Sequence, residues 1–287
     1  MVNAKGILSA KNGMNIYRGC THGCIYCDSR SLCYQMQHDF EDIEVKQNAP
    51  ELLEQSLRRK RKKCMIGTGS MCDPFMHCEE KLKLTHKCME IIDRYGFGFS
   101  VMTKSDRILD ELELLESINE KAKCVLQMTL TTCDERLSRI LEPNVCITKR
   151  RYEVLKIMQQ KGIPTVVWLS PLLPYINDTE ENFKGLLDMC FDAGVRGIVC
   201  YGIGLTLRDG NREYFYAQLD RYFPGIKEKY IRRYGNSYEC LSDNNETLMK
   251  LFHNECEKRG VLHNIEDVFA YIQEFEMRDK WEQLSLF

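Results

Sequence analysis

Residues 19–27 read Gly19-Cys20-Thr21-His22-Gly23-Cys24-Ile25-Tyr26-Cys27, three thiols within eight residues. The stretch before them, Gly13-Met14-Asn15-Ile16-Tyr17-Arg18, reads as a strand over 13–18. A loop that follows a parallel strand lies at the C-terminal end of its sheet, where α/β active sites collect. Thiolates are soft ligands that suit iron–sulfur clusters, and this spacing lets one loop wrap three corners of a cubane. A fully ligated electron-transfer cluster takes four Cys, so three leave one iron open to an exchangeable group. Gly19 and Gly23 supply the backbone freedom that so tight a loop needs. The competing reading is a structural zinc site with Cys33 as fourth ligand, for which the second Cys-x-x-Cys knuckle is missing.

Outward from this loop, apolar runs predict further strands at 64–69, 98–103, 123–130, 164–170 and 196–202. Segments of helical period alternate with them, as in parallel βα units, and six strands fit an open, partial barrel. In the clearest helix Asp178 is the expected cap and Glu181 completes a capping box. Phe183, Leu186, Leu187 and Cys190 form its apolar stripe before Gly194. A second helix is expected from about Thr148 to Lys161, ending at Gly162. From about Gly210 the strand signal fades and helical patterns dominate, at 246–258 and 265–276. The expected organisation is an α/β core over 1–209 and a C-terminal helical extension over 210–287.

The chain has 287 residues, 44% of them hydrophobic, enough for a substantial core. Lys and Arg (40) nearly balance Asp and Glu (42), so any nucleic-acid contact must come from local patches. No sustained apolar run follows the first positive charges, and no window approaches the roughly 20 apolar residues of a spanning helix. A cytoplasmic protein with no membrane association is expected. Fifteen cysteines without an export signal imply a reducing compartment, and the scattered Cys64, Cys124, Cys190 and Cys200 read as core residues.

The Cys-x3-Cys-x2-Cys loop with Tyr26 before the last thiol resembles the radical S-adenosylmethionine (SAM) superfamily. Within it, the chain looks like the spore photoproduct lyase family and its uncharacterised relatives. The supporting segments are Gly69-Ser70-Met71-Cys72-Asp73-Pro74-Phe75, Thr103-Lys104-Ser105, Leu141-Glu142-Pro143, and 170–178 from Ser170 to Asp178. The resemblance implies a partial (β/α)6, TIM-like barrel, a [4Fe–4S] cluster on Cys20, Cys24 and Cys27, and SAM chelating the open iron. It implies reductive cleavage of SAM to a 5′-deoxyadenosyl radical that abstracts hydrogen from a substrate, with electrons from a carrier such as flavodoxin or ferredoxin. By position, Ser70, Asp73, Lys104, Gln127, Thr129 and Ser170 are expected to face SAM, and Tyr26 to contact its adenine.

The chain departs from the lyase at its hydrogen-donor cysteine, whose position is Ser70 here, and at a second tyrosine, replaced by Asp28. Cys72 is the remaining candidate donor. A link to DNA is suggested instead by the ending Gln283-Leu284-Ser285-Leu286-Phe287, which resembles the peptide by which repair proteins dock on the sliding clamp. The runs Arg58–Lys63, Lys149-Arg150-Arg151 and Arg232-Arg233 are candidate phosphate contacts, although a solvated helix end explains the first as well. Tyr201, Tyr214, Tyr216, Tyr222 and Tyr230 read either as base-stacking groups or as ordinary packing. The leading expectation is a radical SAM enzyme acting on DNA or another nucleic acid, with repair-type chemistry. The alternatives are radical chemistry on a peptide or small metabolite, and a non-catalytic Fe–S adaptor that binds the clamp.

Overall fold

The computed structural model describes residues 1–278. The clamp-like peptide at 283–287 lies outside the described residues.

Six parallel strands form one sheet in sequential order: β1 (Gly13–Met14), β2 (Met65–Thr68), β3 (Gly98–Thr103), β4 (Cys124–Thr129), β5 (Thr165–Trp168) and β6 (Gly197–Val199). Each falls within a strand expected from the sequence. The first is shorter than expected because the chain leaves β2 after Met14, and Tyr17–Arg18 pairs instead with Glu44–Val45. The sheet is open: β1 and β6 are its two edges, and β6 is bordered by Leu262, whose carbonyl accepts from Ile198 N at 2.8 Å.

Side chains alternate across the pleat. Ile66, Leu126, Val167 and Ile198 pack under the outer helices, while Met65, Val125, Val166 and Val199 face the concave side. The outer helices are α1 (Ala49–Arg59), α2 (Leu84–Arg94), α3 (Leu112–Lys121), α4 (Thr148–Gln160) and α5 (Glu180–Asp192). Each buries one apolar stripe, as Leu53 and Leu57 do in α1 and Phe183, Leu186 and Leu187 in α5. The cap of α5 differs from expectation. Thr179 holds Asn182 N at 3.2 Å, whereas Asp178 accepts a hydrogen bond from Ser242 in the extension.

The extension contains β7 (Gly204–Thr206), α6 (Asn211–Tyr222), α7 (Ile226–Tyr234), β8 (Glu239–Leu241), α8 (Asn245–Arg259) and α9 (Ile265–Gln273). It is therefore not purely helical: β8 pairs antiparallel with β7. Val268 and Ile272 of α9 fill the concave side at the N-terminal end of the strands. At the other end Phe215, Leu219 and Tyr230 make a second core with Cys24, Ile25 and Tyr26. Of the tyrosines read either as base-stacking groups or as packing, Tyr230 and Tyr216 thus belong to packing, together with Phe215. Among the described residues, no helix is long and apolar enough to cross a membrane.

Candidate active site

The cysteine loop leaves the sheet at the C-terminal end of β1 and is held from several sides. Cys20 N donates to Phe40 O at 3.0 Å, and Ile25 N to Leu141 O at 3.0 Å. Asn144 donates from its backbone to His22 O at 3.1 Å and from its side chain to Thr21 O at 2.9 Å. Gly19 has φ +90°, and a Cβ there would fall 2.5 Å from the Phe40 carbonyl oxygen, so only glycine fits. Cys24 is buried and Cys20 and Cys27 are half-buried. Burial, with Asp73 adding to it, pushes the Cys20 thiol up to about 11, and burial raises Cys24 further. A buried thiolate needs compensating positive charge, and Lys104 supplies it. Burial acts to lower the Lys104 ammonium, but neighbouring Cys24 and Glu142 hold it above its ordinary value.

Asp73 organises the ends of β2 and β3. Its Oδ1 accepts from Thr103 Oγ1 at 2.7 Å and Phe75 N at 2.9 Å. Its Oδ2 accepts from Lys104 N at 2.8 Å and lies 3.4 Å from His22 Nδ1. Asp73 thus ties two strand ends to the cysteine loop. Burial pushes the His22 imidazole below its ordinary value, against the pull of Asp73.

A second network was not expected from the sequence. Tyr26 donates its hydroxyl hydrogen to Glu142, and Glu142 Oε2 lies 2.6 Å from Arg151 Nη1. Arg151 also donates to Cys146 O at 2.9 Å and Thr129 O at 3.1 Å. The side chains of Glu142 and Arg151 are both wholly buried. Arg151 is therefore no phosphate contact. Its signal was present all the same, because position 151 lies on the apolar stripe of α4 with Thr148, Val154, Leu155 and Met158. Among the described residues, Arg151 Nη2 and Thr131 Oγ1 have no hydrogen-bond partner, although both are buried. Polar atoms left in this state cost free energy unless a ligand meets them.

On the concave face, Gln127 Nε2 donates to Ser100 Oγ at 2.7 Å and Oε1 accepts from Trp168 Nε1 at 3.0 Å. Thr129, one turn of the pleat further on, is buried. Ser70 is exposed at the end of β2, and Ser170 is half-buried after β5. Gly69, before Ser70, has φ +99° and passes so close to the Met102 carbonyl that any Cβ would collide.

Cys72 is placed differently from the expectation of a hydrogen donor. Its thiol is in the core and donates to Tyr17 O at 2.9 Å, and burial raises its pKa well above the ordinary value. Such a thiol is not presented to a substrate. The basic run Arg58–Lys63 precedes β2 and lies at the opposite end of the sheet, where Lys60 donates to Asn12 Oδ1 at 2.7 Å. Lys149 and Arg150, at the start of α4, share the cysteine loop's end.

Three thiols on one loop are the donor set that suits an iron–sulfur cluster with one open iron. Cys33, the fourth ligand of the zinc alternative, is exposed and accepts from Arg208 Nη1 at 3.3 Å. Cavities of about 370 and 270 Å³ flank the cysteine loop, one lined by His22 and Cys146, the other by Gly19 and Met71. A larger cavity of about 570 Å³ lies at the far end of the sheet among the C-terminal ends of α4, α5 and α8. Volume alone therefore does not mark the site.

Comparison with known proteins agrees with this geometry. An uncharacterised protein of Methanocaldococcus jannaschii is 27% identical over 256 residues, covering 88% of this chain and 87% of that protein. An uncharacterised protein of Mycobacterium tuberculosis is 27% identical over 229 residues, covering 77% of this chain. The chain spans 66% of that mycobacterial relative's length. A mutant of spore photoproduct lyase superposes with a TM-score of 0.63 at 14% identity, covering 91% of this chain and 79% of the lyase. A second structure of that lyase, with bound S-adenosylmethionine and dinucleoside spore photoproduct, gives 0.60 at 13% identity, over 86% of this chain and 74% of the lyase. These likenesses establish the partial, TIM-like barrel. The sequence profile of the radical SAM superfamily matches residues 14–190. The chain belongs to the radical SAM superfamily, and its cofactors are a [4Fe–4S] cluster and S-adenosylmethionine.

Proposed function

We propose that Cys20, Cys24 and Cys27 hold the cluster, and that the chain is an enzyme that cleaves SAM reductively and abstracts hydrogen from a nucleic-acid substrate. The observation that carries this reading is the three-thiol loop set beside the half-buried cation Lys104 and the wholly buried Arg151 at the C-terminal end of a parallel sheet. When bound together, cluster and SAM supply methionine and a 5′-deoxyadenosyl radical; the protein orients them and excludes competing reactions.

Each residue then has a task. Lys104 balances the charge of the thiolates and of the cofactor's carboxylate. Asp73 fixes the backbone of residues 103–104 against the loop. Tyr26, Glu142 and Arg151 lock the last turn of the loop to β4. Ser70, exposed after β2, and Ser170, half-buried after β5, are assigned to the cofactor's polar groups. Gln127 and Thr129, buried on β4, are assigned to the cofactor as well. Nucleic acid ranks first because the superposing lyase binds a dinucleoside lesion, and because Lys149 lies at the site's end of the molecule, beside Arg150, which is itself paired with Asp106 and Glu153. Ser70 at the lyase's donor position, with Cys72 turned into the core, argues for a reaction other than spore photoproduct repair.

The test is anaerobic reconstitution followed by iron and sulfide determination and electron paramagnetic resonance of the reduced protein with and without SAM. A spectrum that changes on adding SAM, and that is absent when Cys20, Cys24 and Cys27 are all replaced by Ala, supports the ligand assignment. A cluster that survives the triple replacement refutes it. Release of 5′-deoxyadenosine stimulated by oligonucleotide, and not by peptide, supports the substrate class.

A further inference from the structure

An aromatic pair stands at the open side of the barrel. Trp168, the last residue of β5, has its indole N–H fixed by Gln127, and Phe269 of α9 packs edge-on beneath it at 5.8 Å. Its ring is therefore held rigidly. Tyr201, two residues beyond β6, lies 6.0 Å from Trp168 at a tilt of 55° and is 60% exposed. An exposed aromatic beside a fixed one, at the rim of a concave face carrying Ser100 and Gln127, is a surface that lacks one flat partner.

Further exposed apolar groups lie on the extension. Beyond Gly202 the neighbour is Leu241, 42% exposed, whose Cδ2 would lie 3.5 Å from a Cβ at Gly202. The Leu241 carbonyl accepts from Tyr234 Oη at 2.7 Å. Tyr234 and Tyr175 both pack on Tyr230, and Lys229 Nζ lies 5.5 Å from the Tyr175 ring. A line of exposed flat and apolar groups bearing a cation is how proteins hold the alternating bases and phosphates of a single strand.

We propose that Trp168 and Tyr201 form a stacking shelf for one base of a single-stranded nucleic acid, with the strand running over Leu241 toward Tyr175 and Lys229. The shelf rests on the nucleic-acid reading above and adds to it how the base is held. Stacking alone is tolerant of sequence because every base has a π face, so the shelf selects an unstacked base rather than a particular one. A base still paired in a duplex cannot reach it.

The chain has two tryptophans, so a Trp281→Phe background leaves Trp168 as the sole indole reporter. The cluster-loaded protein in this background is titrated anaerobically with an oligothymidylate on the order of ten nucleotides long. Trp168 emission reports stacking, and anisotropy of a labelled strand reports affinity. The expected result is quenching of Trp168 by the strand, with affinity about 5- to 100-fold weaker in Tyr201→Ala and retained in Tyr201→Phe. Circular dichroism confirms that each variant is folded. Strand binding at full affinity in Tyr201→Ala, without quenching, overturns the shelf and leaves the nucleic-acid reading standing. Absence of strand binding by every form at low salt sinks that reading and the shelf with it. Quenching by SAM alone that blocks the strand assigns the pair to the cofactor's adenine and also overturns the proposal.

Discussion

At the N-terminal end of the sheet, Lys123 is wholly buried, yet its ammonium donates to Tyr271 O at 2.8 Å and Glu276 Oε1 at 2.9 Å and lies 4.5 Å from the Tyr271 ring. At the C-terminal end Arg151 is equally buried, and its Nη2 and the neighbouring Thr131 Oγ1 meet no acceptor or donor among the described residues. The first end holds its charge in a closed arrangement that docks the end of the described chain, where Arg278 N donates to Lys121 O at 3.0 Å. The second leaves Arg151 Nη2 and Thr131 Oγ1 unpartnered near the residues that hold the cysteine loop, whereas the first end has one such atom among the described residues, Thr165 Oγ1. Each such group costs about 1–3 kcal/mol, a cost that evolution retains where a ligand repays it. One end is scaffold and the other is site, although the scaffold end has the larger cavity.

Replacing the buried cations at the two ends breaks or sharpens this contrast. Arg151→Met leaves the wholly buried Glu142 carboxylate without its cation and should cost about 3–5 kcal/mol, read from the denaturant midpoint. Lys123→Met should cost less, because the Glu276 side chain is 40% exposed and regains solvent. Equal losses at the two ends would erase the distinction.

Gln127→Leu leaves the Ser100 hydroxyl and the Trp168 N–H without partners and should cost about 1–3 kcal/mol. A red shift in Trp168 emission would accompany it, since the ring loses its tether. An unshifted spectrum in the Trp281→Phe background would show that packing by Phe269 alone fixes the indole.

A smaller effect is expected from pH. Lys123, followed by Arg278, holds the Glu276 carboxyl below the ordinary carboxylate range. A carboxylate depressed in the folded state stabilises above its unfolded pKa, and that contribution is lost as pH falls through the folded value. Melting temperature should therefore fall less steeply in Glu276→Gln than in the wild type below about pH 4.5. Parallel curves would mean that the pair is fully screened. The least effect is expected from Cys72→Ala, which should leave SAM cleavage unchanged; abolished product formation with the cluster intact would restore Cys72 as a hydrogen donor.

The sheet was legible because short β-branched runs separated by helical periods leave little choice of architecture, and the cysteine loop because three thiols at that spacing serve few purposes. What escaped was set by contacts between distant residues. Tyr26 and Glu142 are 116 positions apart, and Arg151 in the run Lys149-Arg150-Arg151 looks as solvated as its neighbours until α4 turns it inward. The strand Glu239–Leu241 is three residues long and puts Leu241 on its exposed face, so its pairing with Gly204–Thr206 left no alternation legible in the residue types. Asp178 and Thr179 are both good caps, and the choice between them was decided by Ser242, far along the chain.

The central claim is that Cys20, Cys24 and Cys27 hold a cluster at which SAM is cleaved. It is tested most directly by measuring 5′-deoxyadenosine released from SAM by the anaerobically reconstituted, reduced protein, with single-stranded oligonucleotide present, beside the triple Cys→Ala variant. The account predicts product from the wild type and none from the variant. Equal product from both, or none from a wild type whose cluster is intact, would contradict it.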